Sequence, residues 1–370
     1  MQIILAPLVA LVAVLVLTPH VRRLAFRVGA LDSPDHRKVH QGVMPRLGGL
    51  AIYASFIIAV LVCVPLSKQL WGLLAGATLI TALGILDDIY RLSARTKLVG
   101  QVLASIVVIF FGIKITFVSN PFVPGVIVSL GILAAPLTVV WLVVVINAVN
   151  LIDGLDGLAS GTSFIAALTM TALIALDTYH VIGSIDLVMV SLPLIVAAAT
   201  AGFLKFNFHP ASIFLGDGGS MLLGFLLANM AIMGLTKSAT VVSVVIPVVI
   251  LGVPLMDTVF AVIRRFNRNM PIMQPDREHL HHRLLELGLN HRQAVLAIYG
   301  VNTVLGGIAI LLTMLAQGPA LILVEGVLLA AIVVANQLGI IGKRLRTNYL
   351  ISLFVILYGL SIFIFFFPKF

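Results

Sequence analysis

The chain has 370 residues, of which 61% are hydrophobic and only 10% charged, and its mean hydropathy of +1.17 excludes an ordinary soluble domain. Cys63 is the only cysteine, which excludes a disulfide within the chain. The net charge of +9 suits anionic lipid and anionic substrates at a membrane face, and requires no nucleic acid.

A helix needs about 20 residues to cross the roughly 30 Å hydrocarbon core of a bilayer. Apolar runs predict spans at about 2–18, 47–66, 70–86, 97–113, 130–149, 160–177, 184–203, 219–235, 240–262, 293–316, 319–341 and 348–367. The expected fold is an all-α polytopic membrane protein of about 11–12 transmembrane helices, the lower count applying if the last two segments merge or re-enter. No basic segment precedes the first span and no small-residue cleavage site follows it, whereas Arg22, Arg23 and Arg27 do. It reads as a retained helix with its N-terminus outside. Alternating the spans from there puts nineteen of the 23 Lys and Arg inside and leaves Lys68, Lys114, Lys237 and Lys369 outside. On this reading residues 1–370 form one integral membrane domain. Its motif-bearing loops, about 19–46, 87–97, 147–160, 204–220 and 263–292, all face the cytoplasm.

The basic loop Asp35-His36-Arg37-Lys38, followed by Met44-Pro45-Arg46-Leu47-Gly48-Gly49, is accounted for by ordinary positive-inside signalling. Lys38 and the glycines also suit the border of a diphosphate. Asp87-Asp88 closes the third span, either as a helix end partnered by Arg91 or as a ligand site. Carboxylates ~4 Å apart at an effective dielectric of ~20 repel by about 4 kcal/mol, which a Mg²⁺ or a cationic side chain relieves.

Asn147, Asn150, Asp153 and Asp156 recur at intervals of three at the mouth of a span, with Gly154 and Gly157 beside them. Oxygen donors of this kind suit Mg²⁺ or the polar edge of a sugar or base. Lys205 to Ser220 joins a cation, Asn207, His209, Phe214 and the Gly216-Asp217-Gly218 turn just before a new helix, a setting suited to phosphate. Asp257 is expected to pair with Arg264 or Arg265 or to face a cavity. In the last basic loop, His279, His281 and His282 invite a zinc reading. Adjacent histidines point in different directions, however, and the surrounding arginines favour phosphate.

In order and content these elements resemble the polyprenyl-phosphate N-acetylhexosamine-1-phosphate transferases: Asp87-Asp88, Asn147 to Gly157, Phe214-Leu-Gly-Asp217-Gly-Gly-Ser and His279-Leu-His281-His282. The chain is most similar to the bacterial branch acting on UDP-GlcNAc and undecaprenyl phosphate, which begins wall teichoic acid, O-antigen or enterobacterial common antigen synthesis. The phospho-MurNAc-pentapeptide transferases of the same superfamily carry three consecutive histidines, which Leu280 interrupts here.

The resemblance implies Mg²⁺, with Mn²⁺ as an alternative, and displacement at the sugar-linked phosphorus with UMP leaving. It implies a metal site at Asp217 and Asn150, and catalytic roles for Asp87, Asp88 and Asp217. It places the nucleotide at Asn147, Asp153, Asp156, Asn207 and Phe214, and the diphosphate and sugar at Arg265, His279, His281, His282 and Lys38. It implies a multi-pass protein of the bacterial cytoplasmic membrane, with a homodimer left open. Some relatives have a third acidic residue where this chain has Arg91, so a three-aspartate cluster at that point is not expected. The rival reading from another class, an ion-coupled transporter, predicts charges near span midpoints and an inverted repeat. Only Glu325 lies far inside a span, and no repeat is evident.

Overall fold

Backbone in hydrocarbon must satisfy its own hydrogen bonds, so long apolar runs fold as helices. The computed structural model describes residues 2–32, 43–119, 127–235, 241–270, 279–315 and 317–339. Their helices are α1 Gln2–Val28, α2 Gly48–Cys63, α3 Lys68–Tyr90, α4 Ala94–Phe110, α5 Ala134–Leu151, α6 Leu158–Ile182, α7 Leu187–Asn207, α8 Gly216–Leu235, α9 Val241–Ile250, α10 Gly252–Asn267, α11 Leu280–Glu286, α12 His291–Met314 and α13 Gln317–Gln337. Among the described residues, eight helices are long and apolar enough to cross a membrane. Two small antiparallel pairs accompany them, β1 Leu31–Asp32 with β2 Met44–Pro45 and β3 Phe117–Ser119 with β4 Ile127–Ser129. The protein is thus all-α and polytopic. Lys38, residues 271–278 and the predicted span 348–367 lie outside the described residues.

Polar side chains mark several helix starts. Ser67, Ser93 and Asp186 accept hydrogen bonds from the backbone N–H of Leu70, Thr96 and Met189, and Asn290 with Gln293 forms a capping box at α12. Asp186, which belongs to no motif, is therefore a cap.

The structure departs from the sequence expectation at several places, among them α1, which continues to Val28. α3 continues to Tyr90 and ends on Arg91 in the left-handed region, so Asp87 and Asp88 sit in its last turn rather than in a loop. The run predicted as one span at about 240–262 is divided into α9 and α10 around Leu251. Pro254 explains the division, because it has no N–H for the carbonyl of Ile250 and its ring crowds that oxygen. The short helix α11 was hidden by the polarity of its loop.

α8 is the hub. Of its most apolar 18-residue window 94% is buried, against 11% for α13, and it packs on α2, α3, α5, α6 and α7. Glycines let backbones meet at its first turn: a Cβ on Gly84 would lie 2.1 Å from the Cα of Gly218, and one on Gly49 the same distance from the Cα of Gly219. In a bilayer, where apolar surface gains little from burial against helices, such close approach is a main source of packing energy.

Gly84→Val is therefore expected to lower stability by about 3 kcal/mol, measured by thermal unfolding in detergent. Gly300→Ala, at a helical position with open space around it, should leave the midpoint unchanged or slightly raised.

Candidate active site

The first turn of α8 sits inside the bundle, and its backbone donors need acceptors there. Asp88 supplies them: the N–H of Asp217 donates to its Oδ1 at 3.0 Å and that of Gly218 to its Oδ2 at 3.1 Å. A carboxylate at a helix N-terminus also meets the positive end of the helix dipole. The approach to this turn is held by pairing with β2 and α2. Phe214 N donates to Pro45 O, Gly48 N to Phe214 O and Gly49 N to Leu215 O, at 2.8, 3.0 and 2.8 Å. Gly216, at φ +75, could carry no side chain, since its Cβ would lie 1.9 Å from the carbonyl oxygen of Arg46.

Asp217 then faces two cations. Lys97 Nζ lies 2.9 Å from Asp217 Oδ2 and 2.9 Å from Asp87 Oδ2. Arg46 Nη2 lies 3.3 Å from Asp88 Oδ1 and 3.5 Å from Asp217 Oδ1, and its Nη1 lies 3.5 Å from Asp32 Oδ1. Burial alone would lower the Arg46 pKa, but Asp88, Asp217 and Asp32 hold it above the ordinary value. The repulsion expected between Asp87 and Asp88 is relieved by separate partners, and Arg91 is not needed.

On the Arg46 side of Asp217 opens a cavity of about 340 Å³, within the usual range for small-molecule sites. It is lined by Asp32, Arg46, Gly216 and Asp217, by Asp153 to Asp156, and by Asn207, His209, Phe214, His282 and His291. The loop between α5 and α6 thus brings Asp153 and Asp156 to the same space as Asp217. Asp153 is held up at about 8, by burial first and then by Asp217, Asp88 and Asp156 working against Arg46.

The other residues singled out from sequence take varied places. Asn150 donates through Nδ2 to Ser220 Oγ in α8 at 2.8 Å, which ties the end of α5 to the first turn of α8 next to Asp217. Asn147 donates to Gln101 Oε1 at 2.7 Å and to Val143 O at 2.8 Å, tying α4 to α5 outside the cavity wall. Asn207 reaches the wall, but Ser160 donates to its Oδ1 at 2.8 Å and its Nδ2 donates to Ile213 O at 3.0 Å. It braces the 208–215 loop from within the protein.

Asp156 Oδ2 binds His209 Nδ1 at 2.8 Å and Ala211 N at 3.1 Å. Asp257 binds His279 Nδ1 at 2.8 Å and accepts from Leu280 N at 2.9 Å. It therefore anchors the start of α11, where sequence pointed to Arg264, Arg265 or a cavity. His282 lines the cavity, whereas His279 and His281 stand behind it, with His281 packed so closely on Gly154 that a Cβ there would lie 2.3 Å from Nε2. Burial, with His282 adding to it, lowers the His281 pKa to about 3, so that ring is neutral. Arg265 is buried in α10, away from the cavity lining.

Oxygen donors at Asp217, Asn150 and Asp153 suit a hard divalent cation. Lys97, Arg46 and Asp32 carry much of the site's electrostatics, yet sequence reasoning assigned none of them. The positive-inside pattern explains Lys97 and Arg46 without reference to a site, and Asp32 belongs to no motif.

Because the Asp153 pKa of about 8 lies above its ordinary 3.8, the folded protein keeps a proton that the unfolded chain releases near pH 4. Stability of the cation-free protein should therefore decline as pH rises from about 4 through about 8. Thermal midpoints of wild type and Asp153→Asn measured across that range check this, the variant lacking that part of the slope.

Residues 70–235 match Glycosyl transferase family 4. The chain is 42% identical, over 93% of its length and 94% of the relative's, to the "Probable undecaprenyl-phosphate N-acetylglucosaminyl 1-phosphate transferase" of Bacillus subtilis. It is 36% identical, over 80% of its length and 79% of the relative's, to the decaprenyl-phosphate N-acetylglucosaminephosphotransferase of Mycolicibacterium smegmatis. To the undecaprenyl-phosphate alpha-N-acetylglucosaminyl 1-phosphate transferase of Escherichia coli K12 it is 30% identical, over 78% of each chain. With a like sequence along almost all of the Bacillus relative, and with the family match running through both the aspartate pair and α8, the chain belongs to glycosyl transferase family 4.

Proposed function

We propose that this chain transfers GlcNAc-1-phosphate from UDP-GlcNAc to undecaprenyl phosphate, giving undecaprenyl-diphosphate-GlcNAc and UMP, the first membrane step of a cell-envelope glycopolymer. The observation that carries this reading is the Asp87–Lys97–Asp217–Arg46–Asp88 array at the head of α8, with a cavity opening beside it. The names of the relatives supply the lipid phosphate and the GlcNAc-1-phosphate group, and the UDP carrier comes from the motif resemblance.

An oxygen of the lipid phosphate bonds to the sugar-linked phosphorus, the bond from that phosphorus to the bridging oxygen breaks, and UMP takes the electron pair. A phosphate monoester is largely ionised near neutral pH, so little base is needed. The barrier lies mainly in aligning two anions, and in such transfers positioning and charge neutralisation do most of the work. Lys97 stands on the Asp87 side of Asp217, and the two helices that carry this pair, α3 and α4, expose Leu86, Tyr90, Val99 and Leu103. This is the side assigned to the lipid phosphate, with Asp87 orienting Lys97. Arg46 and His282 face the cavity and are assigned to the diphosphate and sugar, and Phe214 and Asp153 to the nucleotide.

A Mg²⁺ or Mn²⁺ held by Asp217 and Asn150 would neutralise the diphosphate and polarise the phosphorus under attack. The motif loops are placed on the cytoplasmic side of the bacterial inner membrane, where UDP-sugars are available.

Radiolabelled UMP should exchange into UDP-GlcNAc only with added undecaprenyl phosphate and a divalent cation. Exchange that is independent of the lipid would sink the proposal. Asp217→Asn should abolish exchange in a folded protein, and Lys97→Met should lower kcat by about 10²–10³ with little change in the KM for UDP-GlcNAc. Equal loss through that KM alone would move Lys97 to the nucleotide side.

A further inference from the structure

Where the 153–157 loop, the 208–215 loop and the start of α12 meet, Asp156, His209 and His291 bring their ligand atoms within 4.8 Å of one another. The transfer reading makes no use of them as a set. His209 Nδ1 lies 2.8 Å from Asp156 Oδ2, and the rings of His209 and His291 stack with centroids 4.1 Å apart and planes at 19°. His291 rests against the backbone of Asp156, and among the described residues neither of its ring nitrogens has a well-aligned hydrogen-bond partner. The ring is half-buried on the cavity wall, where its nitrogens can engage a ligand from outside the chain.

We propose that Asp156, His209 and His291 bind one borderline divalent transition ion, Zn²⁺ being the type, at a site separate from the oxygen donors around Asp217. Two imidazole nitrogens and one carboxylate oxygen match zinc and cobalt, and are a poor set for Mg²⁺, which takes oxygen ligands. The ion takes the place of the proton between His209 Nδ1 and Asp156 Oδ2, so His209 binds as the neutral ring through Nδ1 with its proton on Nε2, and Asp156 binds as the carboxylate. Ligand distances of about 2 Å require those two atoms to separate by about 0.5 Å and the His291 ring to turn out of its stack.

Supporting contacts are in place: Ala211 N donates to Asp156 Oδ2 at 3.1 Å, and Arg292 Nε donates to His209 O at 3.2 Å. These hold the ligands' segments as outer-shell partners do. Three protein ligands leave a fourth position open to the cavity, which the same three residues help to line. An ion there ties three separate segments together and stabilises the fold by linkage.

The full chain, purified in detergent with any affinity tag removed and stripped with EDTA, is titrated with Co²⁺ in excess Mg²⁺. The expected result is one Co²⁺ per chain with the visible absorption of a tetrahedral nitrogen–oxygen site, displaced by equimolar Zn²⁺, together with a raised thermal midpoint. His209→Gln and His291→Gln should each weaken Co²⁺ binding at least about tenfold. Asp217→Asn and His282→Gln should leave it unchanged. An unaltered metal-free midpoint and monodisperse elution show that a variant is folded; should His209→Gln fail that test, His291→Gln decides alone. Binding that survives His291→Gln, binding lost in Asp217→Asn or His282→Gln, or no binding below millimolar Co²⁺ would overturn the assignment.

Discussion

A helix that begins inside a membrane protein exposes backbone donors where no water is at hand, and here the Asp88 carboxylate meets them. That contact joins the last turn of α3 to the first turn of α8, the most buried span. It also sets the position of Asp217, because the N–H that Asp88 accepts is Asp217's own. The glycine contacts below it, Gly84 on Gly218 and Gly49 on Gly219, exist only because the two backbones are drawn so close. Packing and site geometry therefore share one cause.

From that point the electrostatics follow. With Asp88 engaged at the helix start, Asp87 and Asp217 share Lys97, and Arg46 spans Asp32, Asp88 and Asp217. Carboxylates outnumber cations, and burial together with the neighbouring carboxylates raises the Asp153 pKa. A divalent cation would offset the surplus, and the phosphates arriving with it would give Lys97 and Arg46 new partners. On the proposed reading, the side chains that neutralise the carboxylates are those that hold the substrates.

Much of this was legible in the sequence. Apolar runs located the helices, and Asp87, Asp88, Asp153 and Asp217, each from a motif the sequence singled out, lie close enough to interact, whereas Asn147 and Asn207 serve as braces. The remainder was hidden for identifiable reasons. Lys97 and Arg46 were masked by positive-inside bias, which accounts for any basic residue beside a span. His291 sits far along the chain from Asp156 and is brought to it only by the packing of α12 on α6, where Tyr299 donates to Gly157 O. The pairing of Asp257 with His279 depends on how a polar loop folds back as α11, which periodicity over seven residues does not report.

The most direct measurement is an experimental structure of the protein with Mn²⁺ and UDP-GlcNAc, using the anomalous signal to locate the ion. The account predicts an ion at Asp217, with Lys97 or Arg46 moved from the carboxylates to phosphate oxygens and Asp88 still accepting from the N–H of Asp217 and Gly218. An ion bound away from Asp217, with Lys97 still bridging Asp87 and Asp217, would contradict it.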